Sequence, residues 1–258
     1  MPAKVPDYGN WFAARLLYLL AAVAIFFAAI SLVFAGLWLV FIPAIIGAVL
    51  FIVLFAYFTY ARYALSTRAG DVQTQVRSLV LDHLDWDGNG QAIDIGCGNG
   101  ALVIEIAKKF PEAHVVGIDY WSSIYGYSQR ACEQNAEIEG VFDRVSFRRA
   151  TASALPFESE TFDAAVSNLV FSGVFDARDK REVIKEALRV VKKGGVFSFQ
   201  DGFKMRRVYG DIEELLQTIR GWGVTHVEFI DTGQVSFLPR ILRTRFLYGA
   251  NAILCGRK

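Results

Sequence analysis

No charged residue occurs between Arg15 and Arg62, an interval of 46 positions dominated by Leu, Ile, Val, Ala and Phe. A helix needs about 20 apolar residues to cross the hydrocarbon core of a bilayer, where every backbone polar group must be satisfied within the segment. The run is long enough for two such helices. Ala35-Gly36 and Pro43 are its only punctuation, which places the helices over 11–34 and 37–60 with a very tight turn between them. Neither stretch has a polar face, so a buried hairpin in a soluble protein is disfavoured. A cleaved signal peptide is disfavoured as well. The apolar core is too long, no convincing small-residue cleavage site follows, and a second apolar span comes at once. Lys4 and Arg15 flank one end, and Arg62 and Arg68 the other, which by the positive-inside rule puts both termini in the cytoplasm. Trp11, Tyr18, Tyr57, Tyr60 and Tyr63 suit the interfacial belt. Residues 1–62 thus read as a two-helix anchor of an integral plasma or inner-membrane protein whose partner is the lipid bilayer.

Of the 27 basic and 26 acidic residues, three and one respectively lie in residues 1–62, a net of +2; the 24 and 25 left in residues 63–258 give −1. A near-neutral domain lacks the electrostatic footprint of a nucleic-acid binder. Cys97, Cys132 and Cys255 form no metal-ligand spacing and no even disulfide set, so no metal site is expected and a reducing cytoplasm fits. Past the anchor the chain alternates. Helices are predicted over 72–84, 101–110, 128–139, 178–191 and 211–222. Strands are predicted over 91–95, 114–118, 145–148, 162–167, 196–200, 225–230 and 246–255. Strands alternating with helices of this length predict an α/β fold, a doubly wound parallel sheet whose ligand sits beyond the carboxyl ends of the strands.

The run Gln91-Ala-Ile-Asp-Ile-Gly-Cys-Gly-Asn-Gly100 is a buried strand breaking into a glycine turn that opens a helix. Glycine there permits positive φ and close backbone approach to a ligand. A dinucleotide fingerprint would put its third glycine at position 101, but that residue is Ala. Asp119 follows Gly100 by 19 residues at the end of the second strand, where an acidic side chain can accept from ribose hydroxyls; capping of the next helix is its alternative. Tyr120 and Trp121 can pack on a base or in the core. Further on stand Arg149-Ala-Thr-Ala-Ser-Ala-Leu-Pro-Phe157, Thr161-Phe-Asp-Ala-Ala-Val-Ser-Asn168 and Glu186-Ala-Leu-Arg-Val-Val-Lys-Lys-Gly-Gly195.

Asp94-x-Gly96-x-Gly98-x-Gly100 with these three later segments, in order and spacing, resembles the class I S-adenosylmethionine (SAM) dependent methyltransferases over about residues 70–258, and specifically their small-molecule, type 11/25-like branch, which includes quinone-pathway enzymes. The resemblance implies a Rossmann-like, seven-stranded, mostly parallel sheet in residues 63–258, preceded by the two transmembrane helices, and SAM as cofactor. It implies that Gly96, Cys97, Gly98 and Gly100 hold the methionine end above Asp94, that Asp119 binds the ribose beside Tyr120, and that Thr151 and Ala152 read the adenine. The family usually has Asp where Thr151 stands. A hydroxyl can accept there but without charge assistance, so the contact can shift to Ser153 or to the Ala152 backbone.

A base is needed only where the attacking atom keeps its proton. His83, His114 and His226 fall at the edge of the sheet away from the cofactor and read as structural. Asn168, Ser172, Gln200 and Asp201 are expected at the cofactor edge. Asp201 and Asn168 are the candidate catalytic residues, Asp201 as an acid/base or substrate-orienting group with capping as its alternative, and Asn168 also serves as a cofactor contact. Lys204, Arg206 and Arg207, and then Arg240, Arg243 and Arg245 among Phe237, Leu238, Ile241, Leu242 and Phe246, form two basic clusters on loops of that edge, expected to face anionic lipid headgroups. The chain reads as a membrane-tethered methyltransferase, cytoplasmic in its catalytic part, acting on a small hydrophobic or membrane-associated acceptor. A non-catalytic SAM-binding scaffold or sensor is the alternative. Acceptor identity, methylated atom and oligomeric state are not legible.

Overall fold

In the computed structural model, residues 5–66, 71–122, 126–245 and 247–258 are described; Lys4, Arg68 and Phe246 lie outside them. The chain divides into a helical unit, Asn10–Gln73, and a sheet unit that takes the N-terminal stretch to Gly9 together with Thr74–Ser122 and Tyr127–Lys258.

The helical unit holds α1, Ala14–Val33, and α2, Trp38–Ala64. Both are long and apolar enough to cross a membrane, with mean hydropathies of 2.7 and 3.0, and only 17% and 11% of their most apolar windows are buried. Core helices of soluble proteins bury most of such a window. What the two helices do bury is the seam between them, where Leu20, Ala24, Ala44 and Ala48 are small or close-packed. A side chain on Gly47 would meet the Phe27 ring at 2.9 Å, and Phe27 stacks on Phe51 with centroids 5.8 Å apart. Small residues at such a seam let two backbones approach, which is how helices associate in lipid. Pro43 lies inside α2, and the helix continues past it to Ala64. At the base of the hairpin Asn10 donates to the Arg62 carbonyl at 3.0 Å and the Arg62 guanidinium donates to the Phe12 carbonyl.

The sheet unit opens with α3, Val72–Asp82, and then alternates β1, Gly90–Ile95; α4, Ala101–Lys109; β2, Ala113–Asp119; α5, Gln129–Ile138; β3, Val145–Arg149; β4, Phe162–Asn168; α6, Lys180–Arg189; β5, Val191–Asp201; α7, Arg206–Tyr209; α8, Ile212–Gly221; β6, His226–Asp231; and β7, Ala252–Arg257. The sheet order is β3-β2-β1-β4-β5-β7-β6, with β7 antiparallel to both neighbours and the rest parallel. This is the expected seven-stranded, mostly parallel, doubly wound sheet. Period-two alternation sends Ile93, Ile95, Ala165, Phe197 and Phe199 into one apolar layer, and Ala92, Ala164, Val166 and Val196 into the other, against α3, α4 and α5.

Two strand starts and one short helix differ most from expectation. β5 begins at Val191, because Lys192-Lys193-Gly194-Gly195 stays in the strand: Gly194 donates to the Lys258 carbonyl and Lys192 reaches Asp163. β7 begins at Ala252 instead of 246, the preceding residues closing turns onto Thr244 and Leu242. The short helix α7 carries no apolar period, so sequence reading passed over it. The register aligns the ends of β1, β2 and β4, with Ile95 opposite Ile118 and Ser167. Strand order reverses between β1 and β4, and a ligand crevice opens where it does.

Candidate functional site

The turn after β1 lies at this reversal. Gly96, Gly98 and Gly100 have φ of +81°, +58° and +82°, the left-handed region that L side chains avoid. Backbone bonds hold the turn: Gly96 and Cys97 both donate to the Ile118 carbonyl, at 2.8 and 2.9 Å, and Gly100 donates to Cys97 at 2.8 Å. Gly100 then begins α4. A Cβ on Gly96 would collide with Val170, which follows β4, so position 96 is barred by space as well as by φ.

Asp119, at the end of β2, closes over the turn. One carboxylate oxygen accepts from the Gly98 amide at 2.9 Å and the other from the Trp121 amide at 2.6 Å. A carboxylate offers about four lone-pair positions, and the Tyr120 amide also bonds to it, so acceptor capacity remains for a hydroxyl. Burial raises its pKa, against the lowering pull of the Trp121 and Gly98 amides. Trp121 has φ +49° and its indole nitrogen donates to the Gly98 carbonyl at 2.8 Å, tying the β2 exit to the glycine turn. Tyr120 is 61% exposed, with the Arg149 guanidinium 5.0 Å above its ring. Cys97 and Cys132 pack beneath the turn, and burial pushes the Cys97 thiol well up.

Asp94 sits one turn below. It is 1% exposed and neither carboxylate oxygen has a hydrogen-bond partner. Burial, followed by the charges of Asp119 and Glu105, holds its pKa well above the usual carboxylate value. An unpaired buried carboxylate beside a glycine turn is costly, and it creates a strong preference for a cationic or donor group in the crevice. Across the reversal the Asn168 side-chain oxygen is also buried without a partner.

Beyond β3, Thr151 and Ser153 share a carboxylate that their own segment lacks. Both hydroxyls donate to one oxygen of Asp176, at 2.8 and 2.7 Å, and the two hydroxyls lie 2.9 Å apart. These bonds hold the Asp176 pKa down. The charge missing at position 151 is therefore supplied next to it, from the loop after β4. Ala152 is buried and packs into the apolar layer.

At the carboxyl edge Asp201 is 1% exposed. Its oxygens accept from the Ser172 amide at 3.1 Å and the Gly202 amide at 2.6 Å, and the buried Tyr209 hydroxyl lies against it. Burial raises its pKa, opposed by those bonds. In this arrangement Asp201 ties together the exits of β4 and β5. Gln200 donates to Thr232 at 2.9 Å and to Tyr248. His114 and His226 lie at the opposite edge, as expected, and His83 caps its own helix through the Leu79 carbonyl at 2.7 Å. Among the described residues no histidine reaches the cofactor edge. The basic clusters are partly committed inside the fold. Lys204 pairs with Asp231 at 2.6 Å and Arg206 with Asp211 at 3.2 Å, while Arg243 donates to the carbonyls of Leu238 and Ser236. Leu238 and Leu242 are buried, while Arg240 and Arg245 are exposed.

Residues 92–195, which include the glycine turn, Asp119, Thr151 and Asn168, match the family described as a methyltransferase domain. Among curated proteins the chain is similar to a demethylmenaquinone methyltransferase of Lactiplantibacillus plantarum, 32% identical over 46% of this chain and 47% of that one. It is also similar to a sterol 24-C-methyltransferase of Aspergillus fumigatus, 29% identical over 57% of this chain and 38% of that one. The chain thus spans about half or less of the length of these relatives. Among solved structures, a geranyl diphosphate C-methyltransferase of Streptomyces coelicolor, crystallised with Mg2+, geranyl diphosphate and S-adenosyl-L-homocysteine, shares the fold with a TM-score of 0.55. It is 16% identical, over 72% of this chain and 79% of that one.

Two contributors to this site carry no signal of their own in the sequence. Asp176 has no motif of its own; only the fold brings it to Thr151. The other is the N-terminal stretch. The Asp7 carbonyl accepts from Asn99 at 3.1 Å and Asn135 at 2.9 Å, and the Asp7 amide donates to Asn135 at 2.9 Å. Asn135 also donates to the Asn99 carbonyl at 3.0 Å. Tyr8 donates to Glu139 at 3.0 Å, with Arg77 5.8 Å from its ring centroid. Asn99 lies between two glycines of the turn, so residues 7–8 strap the site from outside. A polar dipeptide before an apolar run gives no such signal.

Proposed function

We propose that this chain is a SAM-dependent methyltransferase, tethered to a membrane by α1 and α2, that methylates a small hydrophobic or membrane-associated acceptor. The observation that carries the reading is the left-handed glycine turn between two carboxylates with free lone pairs, Asp94 and Asp119. Those groups fit the cofactor. Gly96, Gly98 and Gly100 leave room for the methionine end, and the unpartnered Asp94 oxygens suit its ammonium group. The spare acceptor capacity of Asp119 suits a ribose hydroxyl, and Thr151 with Asp176 suits an adenine amino group. When bound, SAM supplies an electrophilic methyl group on sulfur.

The residues around it align and exclude. Backbone bonds fix the turn before any ligand arrives, and alignment of this kind supplies much of the acceleration of a displacement at carbon. The Asp201, Ser172 and Gly202 bonds set the mouth of the crevice. Resemblance to the quinone and sterol methyltransferases, which act on apolar molecules by their names, supports an apolar acceptor. Two apolar helices, each with a single arginine close to one end and with exposed apolar flanks, support the tether.

A non-catalytic SAM-binding scaffold is the second reading, and the enclosure of Asp201 favours it, since that candidate acid/base group is buried within its own hydrogen bonds. The test is tritium transfer from methyl-labelled SAM into a membrane lipid extract by the full chain in detergent, with the product identified by mass. Labelled lipid supports the enzyme; saturable SAM binding without label transfer supports the scaffold. Absence of SAM binding sinks both.

A further inference from the structure

A cleft of about 460 Å³ opens between the start of α6, α7 and α8, and four arginines line it: Arg178, Arg181, Arg206 and Arg207. The nearby acids are committed. Asp179 chelates Arg181 through contacts of 2.8–3.1 Å, Glu214 reaches Arg181 at 3.5 Å, and Asp211 holds Arg206 at 3.2 Å. Arg178 and Arg207 are left with no anionic partner among the described residues, although they come from different loops that leave the same edge of the sheet. Tyr209 shares the cleft wall and is buried against Asp201, so the cleft adjoins the mouth of the crevice. Phe175, three residues before Arg178, is 90% exposed.

We propose that this cleft binds a phosphate or diphosphate ester on the acceptor, with Arg178 and Arg207 as its clamp. Guanidinium groups are planar donors matched to phosphate oxygens, and two unpaired ones facing one cleft are what a doubly charged group needs. The exposed Phe175 beside them suits an acceptor with an apolar body. Assignment of the ligand as the acceptor rests on the methyltransferase reading; the anion site itself does not.

The test titrates inorganic pyrophosphate into the full chain in phosphatidylcholine nanodiscs by calorimetry, with SAM affinity measured separately on the same preparation. Wild-type protein is expected to bind pyrophosphate, and R178Q/R207Q to bind it at least about tenfold more weakly while keeping its SAM affinity. R178K/R207K should fall between, since lysine keeps charge without the fork. A measurement that needs no variant is phenylglyoxal modification followed by peptide mass analysis, in which pyrophosphate should protect Arg178 and Arg207 specifically. No binding to wild type, equal binding to R178Q/R207Q, or no protection overturns the proposal. Pyrophosphate binding without SAM binding overturns the methyltransferase reading and leaves the anion site standing. Weaker pyrophosphate binding in discs containing phosphatidic acid identifies a lipid headgroup as the source, and undiminished binding identifies a soluble phosphate ester.

Discussion

The carboxylate of Asp94 is the residue most out of balance in this protein: nine-tenths of such groups find partners when buried, and this one has none. Because burial raises its folded-state pKa, the unfolded chain releases the proton first as pH rises. The stability of the protonated form is fully present below the unfolded value near 3.8 and is lost as pH climbs through the folded value. Asp94→Asn should therefore match wild type near pH 4 and exceed it at pH 7.5 by about 1 kcal/mol or more, about 2–4 °C in Tm without SAM. Its SAM affinity should fall about tenfold, because the proposed contact with the ammonium group loses its charge. Thermal unfolding against pH and equilibrium dialysis with SAM check both halves. Asp176 offers the complementary case. Asp176→Asn keeps the shape but removes the charge behind Thr151 and Ser153, and adenosine competition for the SAM site should weaken about tenfold. Unchanged competition would show that adenine is read elsewhere.

Elements are held by a few polar or small residues at their seams. The N-terminal strap depends on Asn135, which serves Asp7 and Asn99 at once and is 3% exposed. Asn135→Ala leaves the Asn99 and Asp7 carbonyls each short of a buried donor, at a cost of about 1–3 kcal/mol in stability. SAM binding should weaken too, since Asn99 sits within the glycine turn, whereas a purely structural role would leave affinity in the surviving folded protein unchanged. Fluorescence-monitored denaturation paired with SAM titration separates these outcomes. In the helical unit, Gly47→Leu would drive a side chain into the Phe27 ring and disturb its stack on Phe51. Overpacking of this kind costs about 1–3 kcal/mol, visible as a lower Tm in detergent.

At the scale of the whole molecule, the tether predicts a topology: both termini in the cytoplasm, and the turn at Gly36 outside. Cys97, Cys132 and Cys255 are all buried free thiols, so they give little background to a labelling experiment. Gly36→Cys, with open space around it, should react with an impermeant maleimide in intact cells, while a cysteine appended after Lys258 should react only after permeabilisation. The reverse pattern would overturn the orientation. Much of this architecture was legible in the residue order because the signals are local. An uncharged run is a property of the run, and period-two and glycine-turn patterns announce strand and turn without reference to distant residues. That is why β1, the glycine turn and Asp119 could be placed, with the fold class, from sequence alone. The boundaries of β5 and β7 could not, since Lys192–Gly195 joins the strand only through Asp163 and Lys258, and the start of β7 is decided by turns onto Thr244 and Leu242. Nor could the partners that arrive from afar: Asp176 at Thr151, Asp7 at Asn99, Arg178 beside Arg207. Those pairs are separated by 25 residues or more, and no local preference encodes which loop ends meet at one edge of a sheet. Sequence alone determined the anchor-like helices, the α/β alternation and the cofactor turn. The tertiary structure alone decided which charges at that turn are paired, buried or left open to a ligand.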